Sequence, residues 1–261
     1  MAESASTQPT KIRVATFNIR NLRALDQASW WPRRRKALAA AITNIDADIW
    51  GLQEVYSLQN RWLQTNVFGT DWGYCGRGRN LRGGGEMCPI WVRQSRLRMN
   101  SFTTLWYGAK PTTPGSRLPG AKFPRCATLA ELHLGIGVIV VNTHLDEGSA
   151  QRRSTSLQQL AEWLDRDHRG RPTIVAGDMN TTLEDPAFEP LLELGLQPVL
   201  NPSHGPTSHG FGGDTRPSQI DHIFVSRHWT VHSVMIHRDA GDASDHWPVS
   251  ANLQSAPISC R

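Results

Sequence analysis

Apolar and polar positions alternate along Lys11–Asn18, with Ile12, Val14 and Thr16 set against Arg13, Ala15 and Phe17. A two-residue period predicts a strand with distinct faces. Short apolar runs predict further strands at 48–54, 89–93, 102–106, 137–144, 173–177, 220–226, 231–236 and 249–253, and CATLAEL, which follows Arg125, reads as another. Helical spacing appears at 31–45, with Pro32 in the first turn and Leu38, Ile42 and Ile45 on one face. Leu157, Leu160 and Leu164 mark a second amphipathic helix, and a third, near 186–194, stops at Gly195. The stretch 75–125 breaks the rhythm with GRGRNLRGGGEMCP and KPTTPGSRLPGAKFP, the composition of long surface loops. Strands alternating with helices predict one α/β domain over 11–254, helices outside sheet, with 1–10 and 255–261 as loose tails.

The strands share a polar signature at their ends. VATFN closes on Asn18, IWGLQE on Gln53 and Glu54, VIVVNTH on Asn142 and His144, and TIVAGDMN on Asp178 and Asn180. SQIDHIFV carries Asp221 and His222, and ASDHWPV carries Asp245 and His246. One strand-end Asp or Asn is ordinarily a turn residue. The repetition, built almost wholly from metal-ligating or proton-transfer side chains, describes a rim where several strands deliver carboxylates, amides and imidazoles to one place. Oxygen ligands with amide helpers suit Mg²⁺ or Mn²⁺ rather than Zn²⁺. No nucleophile elbow, Walker loop or dinucleotide fingerprint is present, and GRGRNLRGGG precedes a strand, as a flexible loop would.

Composition narrows the picture. The 261 residues suffice for a substantial core, and 39% hydrophobic with 20% charged excludes a disordered chain. No apolar stretch reaches the ~18 residues of a membrane helix. The opening MAESASTQPT has neither a basic start nor an apolar core, so a cytoplasmic monomer without stable membrane association is expected. The four Cys form no CxxC pair and read as buried or idle thiols in a reducing compartment. A net charge of +5 hints at a polyanionic partner without requiring one.

TFN, LQEV, NTH, GDMN, IDH and SDHWPV, in this order, resemble the endonuclease/exonuclease/phosphatase superfamily, whose members include DNase I-like nucleases, deadenylases, sphingomyelinases and inositol polyphosphate 5-phosphatases. The resemblance runs from about Ile12 to Leu253. It implies a four-layer α/β sandwich, two packed mixed sheets flanked by helices. It also implies a divalent-metal-dependent phosphoesterase, using Mg²⁺ or Mn²⁺ and in-line attack by water. On that resemblance Glu54 is the principal metal ligand, with Asn18 supporting it and Asp245 beside the metal. Asp178 orients or deprotonates the attacking water, and Asn180 holds phosphate or nucleophile. His246 contacts the phosphoryl oxygen, Asp221 fixes its charge, and His144 is a transition-state hydrogen-bond donor. After TFN, where many nucleases of the family carry an acidic residue, this chain has Ile19, Arg20 and Asn21. The nearer likeness is to a bacterial subgroup with TFNIR, a GxGR…GGE loop, PGS and a T-x-H-x-F loop, here Gly76–Arg79, Gly84–Glu86, Pro114–Ser116 and Thr207–Phe211.

Weaker substrate-binding candidates are Arg125, with a surface salt bridge as the alternative, and Arg153, with a solvated helix start as the alternative. His209 and Glu86 join them because each sits in a Gly-rich loop near the rim. Trp72, Trp106 and Phe123 are candidates for stacking on a base. Nucleic acid or nucleotide is the expected substrate, given the basic balance and the arginines at 77–98. A phospholipid headgroup, an inositol phosphate or another small phosphoester is the alternative, and an inactive phosphate-binding relative is the reading from another class.

Overall fold

The computed structural model describes residues 9–24, 29–212 and 216–256. Most of the loose tails read from the sequence, and Cys260, lie outside these.

Two six-stranded sheets face each other. The first has the order β11-β12-β1-β2-β4-β3, built from β1 (Lys11–Asn18), β2 (Ile49–Gln53), β3 (Trp72–Cys75), β4 (Ile90–Arg93), β11 (Trp229–Ile236) and β12 (Val249–Ser255). The second has the order β5-β6-β7-β8-β10-β9, built from β5 (Arg98–Trp106), β6 (Cys126–His133), β7 (Gly137–His144), β8 (Thr173–Asp178), β9 (Leu196–Pro198) and β10 (Asp221–Ser226). Each sheet has one parallel pair at its centre. β1 and β2 are joined through helix α1 (Trp31–Ile45), and β7 and β8 through helix α3 (Ala150–His168). Parallel neighbours need such a crossover, whereas the antiparallel partners around them need only turns.

The burial follows from this layering. Ile12, Val14, Ile49, Val140, Ile174, Ile223 and Ala251 interleave between the sheets. Phe17, Trp50, Leu52 and Trp91 pack outward against Leu38, Ile42 and Ile45 of α1 and Leu63 of α2 (Ser57–Leu63). Val141, Val175 and Phe224 pack outward against Leu157, Leu160 and Leu164 of α3 and Leu191 of α4 (Glu189–Glu193). Central strands buried on both faces read as continuous apolar runs, which is why they were visible in the sequence. The product is a helix–sheet–sheet–helix sandwich of mixed sheets.

Two features fix the rim. In the second sheet, His144 pairs with Asp178 across β7–β8, and Asp221 pairs with Asp178 across β8–β10. Three ionisable side chains therefore stand at one level. Gly177 immediately before Asp178 has φ +152, and a Cβ there would lie 2.1 Å from the Thr143 carbonyl oxygen. Only glycine lets β8 run this close to β7 beside the site.

Candidate active site

Asn18 and Asp178 end β1 and β8, Glu54 follows β2, His144 ends β7, Asp221 begins β10, and Asp245 and His246 precede β12. The facing sheets thus bring their strand ends together at one edge. The amide of Asn18 ties the two sheets: its Nδ2 donates to Glu54 Oε1 at 3.1 Å and to Asp178 Oδ2 at 2.9 Å. Behind it, buried Gln53 donates to Asn142 Oδ1 at 2.6 Å, and Asn142 donates to the Leu52 and Pro89 carbonyls. Gln53 and Asn142, polar strand-end residues in the sequence, therefore lock the sheets together.

Glu54 sits one residue beyond its strand in the left-handed region, φ 61. Its Oε2 accepts from the Asn21 backbone N at 3.0 Å and Asn21 Nδ2 at 2.7 Å. Burial works against its charge, but the hydrogen bonds from Asn18 and Asn21 and the nearby Arg20 guanidinium outweigh it, holding the carboxyl below its usual range. Arg20 and Asn180 also have positive φ, 52 in each case. Such backbone costs about 1–3 kcal/mol where a non-glycine residue adopts it, and it clusters at functional sites.

His246 donates from Nδ1 to Asp221 Oδ2 at 2.7 Å, and Thr207 Oγ1 donates to the same oxygen at 2.7 Å. Burial alone would depress the imidazole. The charges of Asp221 and Asp178, the Asp221 hydrogen bond and Asp245 overcome it and raise His246 to about 10. Its Nε2 lies 3.8 Å from Asp178 Oδ2, and His144 Nε2 lies 3.5 Å from the same atom. Asp178 is pushed up to about 7 by burial and by the charge of Asp221, against His246, Asn18 and Asn180. His144 goes the other way: burial, then Arg125, Arg79 and His246, hold it well below its ordinary value, so it is a neutral imidazole.

Several expectations change. β8 ends at Asp178, and Asn180 turns left-handed, its N–H bonding back to Asp178 Oδ1 at 3.0 Å and its Nδ2 donating to the Leu145 carbonyl. An Asx-type turn of this kind competes with strand continuation. Asn18 meets Glu54 through its N–H while its oxygen accepts from the Arg20 N–H. Asp245 faces Arg20 Nη1 at 3.3 Å. Arg153 donates to the carbonyls of Asp146 and Glu147. Trp106 is buried, with its indole N–H on the Arg79 carbonyl, and Trp72 packs against Phe68 and Arg93. Phe123 alone of the three stacking candidates is exposed and borders a pocket.

His209 stacks on Trp247, 4.4 Å between centroids, and its N–H is held by the Asp245 carbonyl. Its Nε2 is buried without a hydrogen-bond partner, and burial lowers its affinity for a proton. Glu86 and Arg125 do reach the rim. Together with Arg79, Met87, Cys88, Cys126, Glu54 and His144 they line a narrow gap with room for about one water. Cys75, Cys88 and Cys126 are buried free thiols. Asn21, Arg79 and Thr207 stand in motifs quoted from the sequence without a role of their own; they bond to Glu54, Glu86 and Asp221. A broader groove at the opposite end of the second sheet, lined by residues such as His168, Arg171, Ser226 and His228, lies far from this rim.

The chain belongs to the Endonuclease/Exonuclease/phosphatase family, whose sequence profile it matches over residues 15–246. It is similar to a family protein from Bacteroides vulgatus, at 27% identity and TM-score 0.85, covering 95% of this chain and 100% of that one. The fold is also that of a Bacteroides thetaiotaomicron mannosyl-6-phosphatase, at 24% identity and TM-score 0.82, over 93% and 99% of the two chains. Uncharacterized protein YbhP of Escherichia coli (strain K12) is 28% identical over 120 residues, 46% of this chain and 47% of that protein. The aligned region thus spans about half the length of that relative. Among the described residues, no helix is long and apolar enough to cross a membrane.

Proposed function

We propose that the protein hydrolyses phosphoesters with a divalent metal, using Asp178 as the base toward water. The observation that carries this is the setting of Asp178, one amide away from ionised Glu54 and faced by a charged and a neutral imidazole. A general base works best with its affinity for protons near the operating pH, and Asp178 lies at about 7.

Asp178, Asp221 and His246 place ligand atoms within 4.8 Å of one another, as a metal site would. Protonated His246, however, has no lone pair for a cation. The donor set around Glu54 fits better: an ionised carboxylate preorganised by Asn18 and Asn21, with Asp178 on the same Asn18 amide, both hard oxygen donors suited to Mg²⁺ or Mn²⁺. A metal bound there supplies a Lewis acid that polarises the phosphoryl group and offsets developing charge. Asp178 takes a proton from water as its oxygen bonds to phosphorus. The P–O bond to the leaving oxygen breaks, that oxygen keeps the electron pair, and solvent protonates it. His246 donates from Nε2 to a phosphoryl oxygen, with Asp221 maintaining its charge, while neutral His144 and the Arg125 guanidinium supply further donors.

The arginines behind the polyanion argument are largely committed elsewhere. Arg93 pairs with Asp46, Arg96 with Asp48, Arg79 with Glu86, and Arg98 donates to Asn100. Charge therefore adds little to a nucleic-acid preference, and the chemistry rests on the rim. A panel of single-stranded RNA and DNA, dinucleotides, inositol phosphates, sphingomyelin and sugar phosphates, each with Mg²⁺ or Mn²⁺, tests the reading. At least one phosphoester is expected to be turned over by the wild type and not by Glu54→Ala; turnover of none, with phosphate ligands still bound, contradicts it.

A further inference from the structure

We infer that Cys88 and Cys126 are the site of a reversible cross-link between the two sheets, closed by hydrogen peroxide and opened by thiols, that lowers turnover at the rim; only its effect on turnover rests on the hydrolytic reading above. Cys88 precedes β4 of the first sheet, and Cys126 begins β6 of the second. Both are buried free thiols, and both line the narrow gap bordered by Glu54, Glu86, Arg125 and His144.

The backbone brings the two thiols together. Strand side chains alternate faces, so Cys126 points the same way as Thr128. A Cβ on Gly76, just after β3, would lie 3.0 Å from Thr128 Oγ1 and 3.1 Å from the Pro89 Cα, so this face of β6 meets the first sheet beside Cys88. Asn142, paired with Thr128 across β6–β7, donates to the Pro89 carbonyl at 2.8 Å. Cys126 lies two residues nearer the rim than that bridge. Its backbone is fixed by pairing with Trp106 and by Thr143 Oγ1, which donates to its carbonyl at 3.1 Å. Cys88 is fixed between Met87, bonded to Val55, and Pro89, bonded to Leu52. In this frame the Cys88 S–H donates to the Cys126 sulfur.

That hydrogen bond assigns the two roles. It and then burial push Cys88 well above the ordinary thiol range, so Cys88 stays protonated. Negative charge on the pair falls on Cys126, which receives the S–H and follows Arg125, a buried guanidinium whose Nε and Nη1 have no hydrogen-bond partner. The gap admits a molecule little larger than water, which suits hydrogen peroxide and excludes a bulky oxidant. The Cys126 thiolate attacks one peroxide oxygen, the O–O bond breaks, and hydroxide leaves, giving a sulfenic acid. The Cys88 sulfur then displaces the sulfenic oxygen, which departs with the Cys88 proton as water. Two thiols and one peroxide become one disulfide and two waters. Closing the contact to the ~2 Å of a disulfide draws the start of β6 toward β4. Arg125 and Glu86, one and two residues before the cross-linked cysteines, move with it.

The test treats the native full chain with hydrogen peroxide, removes the excess, and maps peptides without reduction. Turnover of 4-nitrophenyl phosphate and bis(4-nitrophenyl) phosphate with Mg²⁺ is measured before treatment, after it, and after dithiothreitol. A Cys88–Cys126 linked peptide is expected, with kcat/KM lower by about 10–100-fold, the effect of a small misplacement beside a site. Dithiothreitol is expected to remove the link and restore turnover. It does not reduce methionine sulfoxide, so recovery assigns the loss to thiols. Cys88→Ala must lose the linked peptide; if that variant does not fold, the wild-type readings still decide. A link that forms only after denaturation, or one to Cys75 or Cys260 instead, overturns the cross-link. A Cys88–Cys126 link with unchanged kcat/KM overturns its control of the rim. The link without turnover of either ester before treatment keeps the cross-link and overturns hydrolysis of these esters instead.

Discussion

Asp178→Asn is expected to lower kcat by about 10²–10⁴-fold, the contribution typical of a positioned general base. The change is nearly isosteric and leaves the Gly177 approach to β7 untouched. The stability of the variant is expected to move the other way. The folded Asp178 carboxyl is raised to about 7 from an ordinary 3.8. An acid raised on folding binds more protons in the native state, so native stability falls as pH rises from about 4 to about 7. At neutral pH the asparagine removes that cost, and the melting temperature should hold or rise while activity collapses. Loss of activity together with stability would assign Asp178 a structural role. Retention of activity would remove it as the base.

The second large effect belongs to Asp221→Asn. Asp221 contributes both charge and a hydrogen-bond acceptor to His246, which burial would otherwise hold in its neutral form. Removing an opposite charge at this distance shifts a titration by about 1–3 units, here downward. The imidazolium that persists to about 10 in the wild type would then be lost at lower pH. The alkaline limb of kcat/KM should move down accordingly, with about 10²–10³-fold less activity above it, the usual effect of losing one transition-state donor. The sign for stability follows as well. His246 is raised above 6.5, so its pairing stabilises the fold fully below that value and ceases to do so as pH rises through about 10. An unchanged alkaline limb, or an NMR titration of His246 that does not move, would contradict this role for Asp221. The group titrates as a set with Asp178, so the shift should be read from the whole profile.

The sequence made the strand ends legible because central strands buried on both faces leave long apolar runs, and a polar residue terminating such a run stands out. Asn18, Glu54, His144, Asp178, Asp221 and His246 were visible in this way, and the structure brings them to one edge. Less legible were features whose cause is remote along the chain. Asn21 holds Glu54 across 33 residues, and Trp106 holds Arg79 across 27. Short elements such as β3, β9 and α2 escaped because a few residues carry too little period to register. The turn at Asn180 was missed for a local reason: a strand pattern gives no warning that the next asparagine will bond back to the aspartate before it. Within 75–125 the composition read as loop, and only tertiary contacts showed that the loop presents a buried arginine rather than a flexible arm.

We propose that the ionised carboxylate of Glu54, rather than the Asp178–Asp221–His246 group, holds the cation. The direct measurement is phosphate release by chelator-stripped protein as Mg²⁺ or Mn²⁺ is returned, for wild type and for Glu54→Gln. No release is expected in excess chelator, with saturable recovery in the wild type and recovery in Glu54→Gln that is absent or needs far more metal. Full release in excess chelator, or equal recovery in the two proteins, would contradict it.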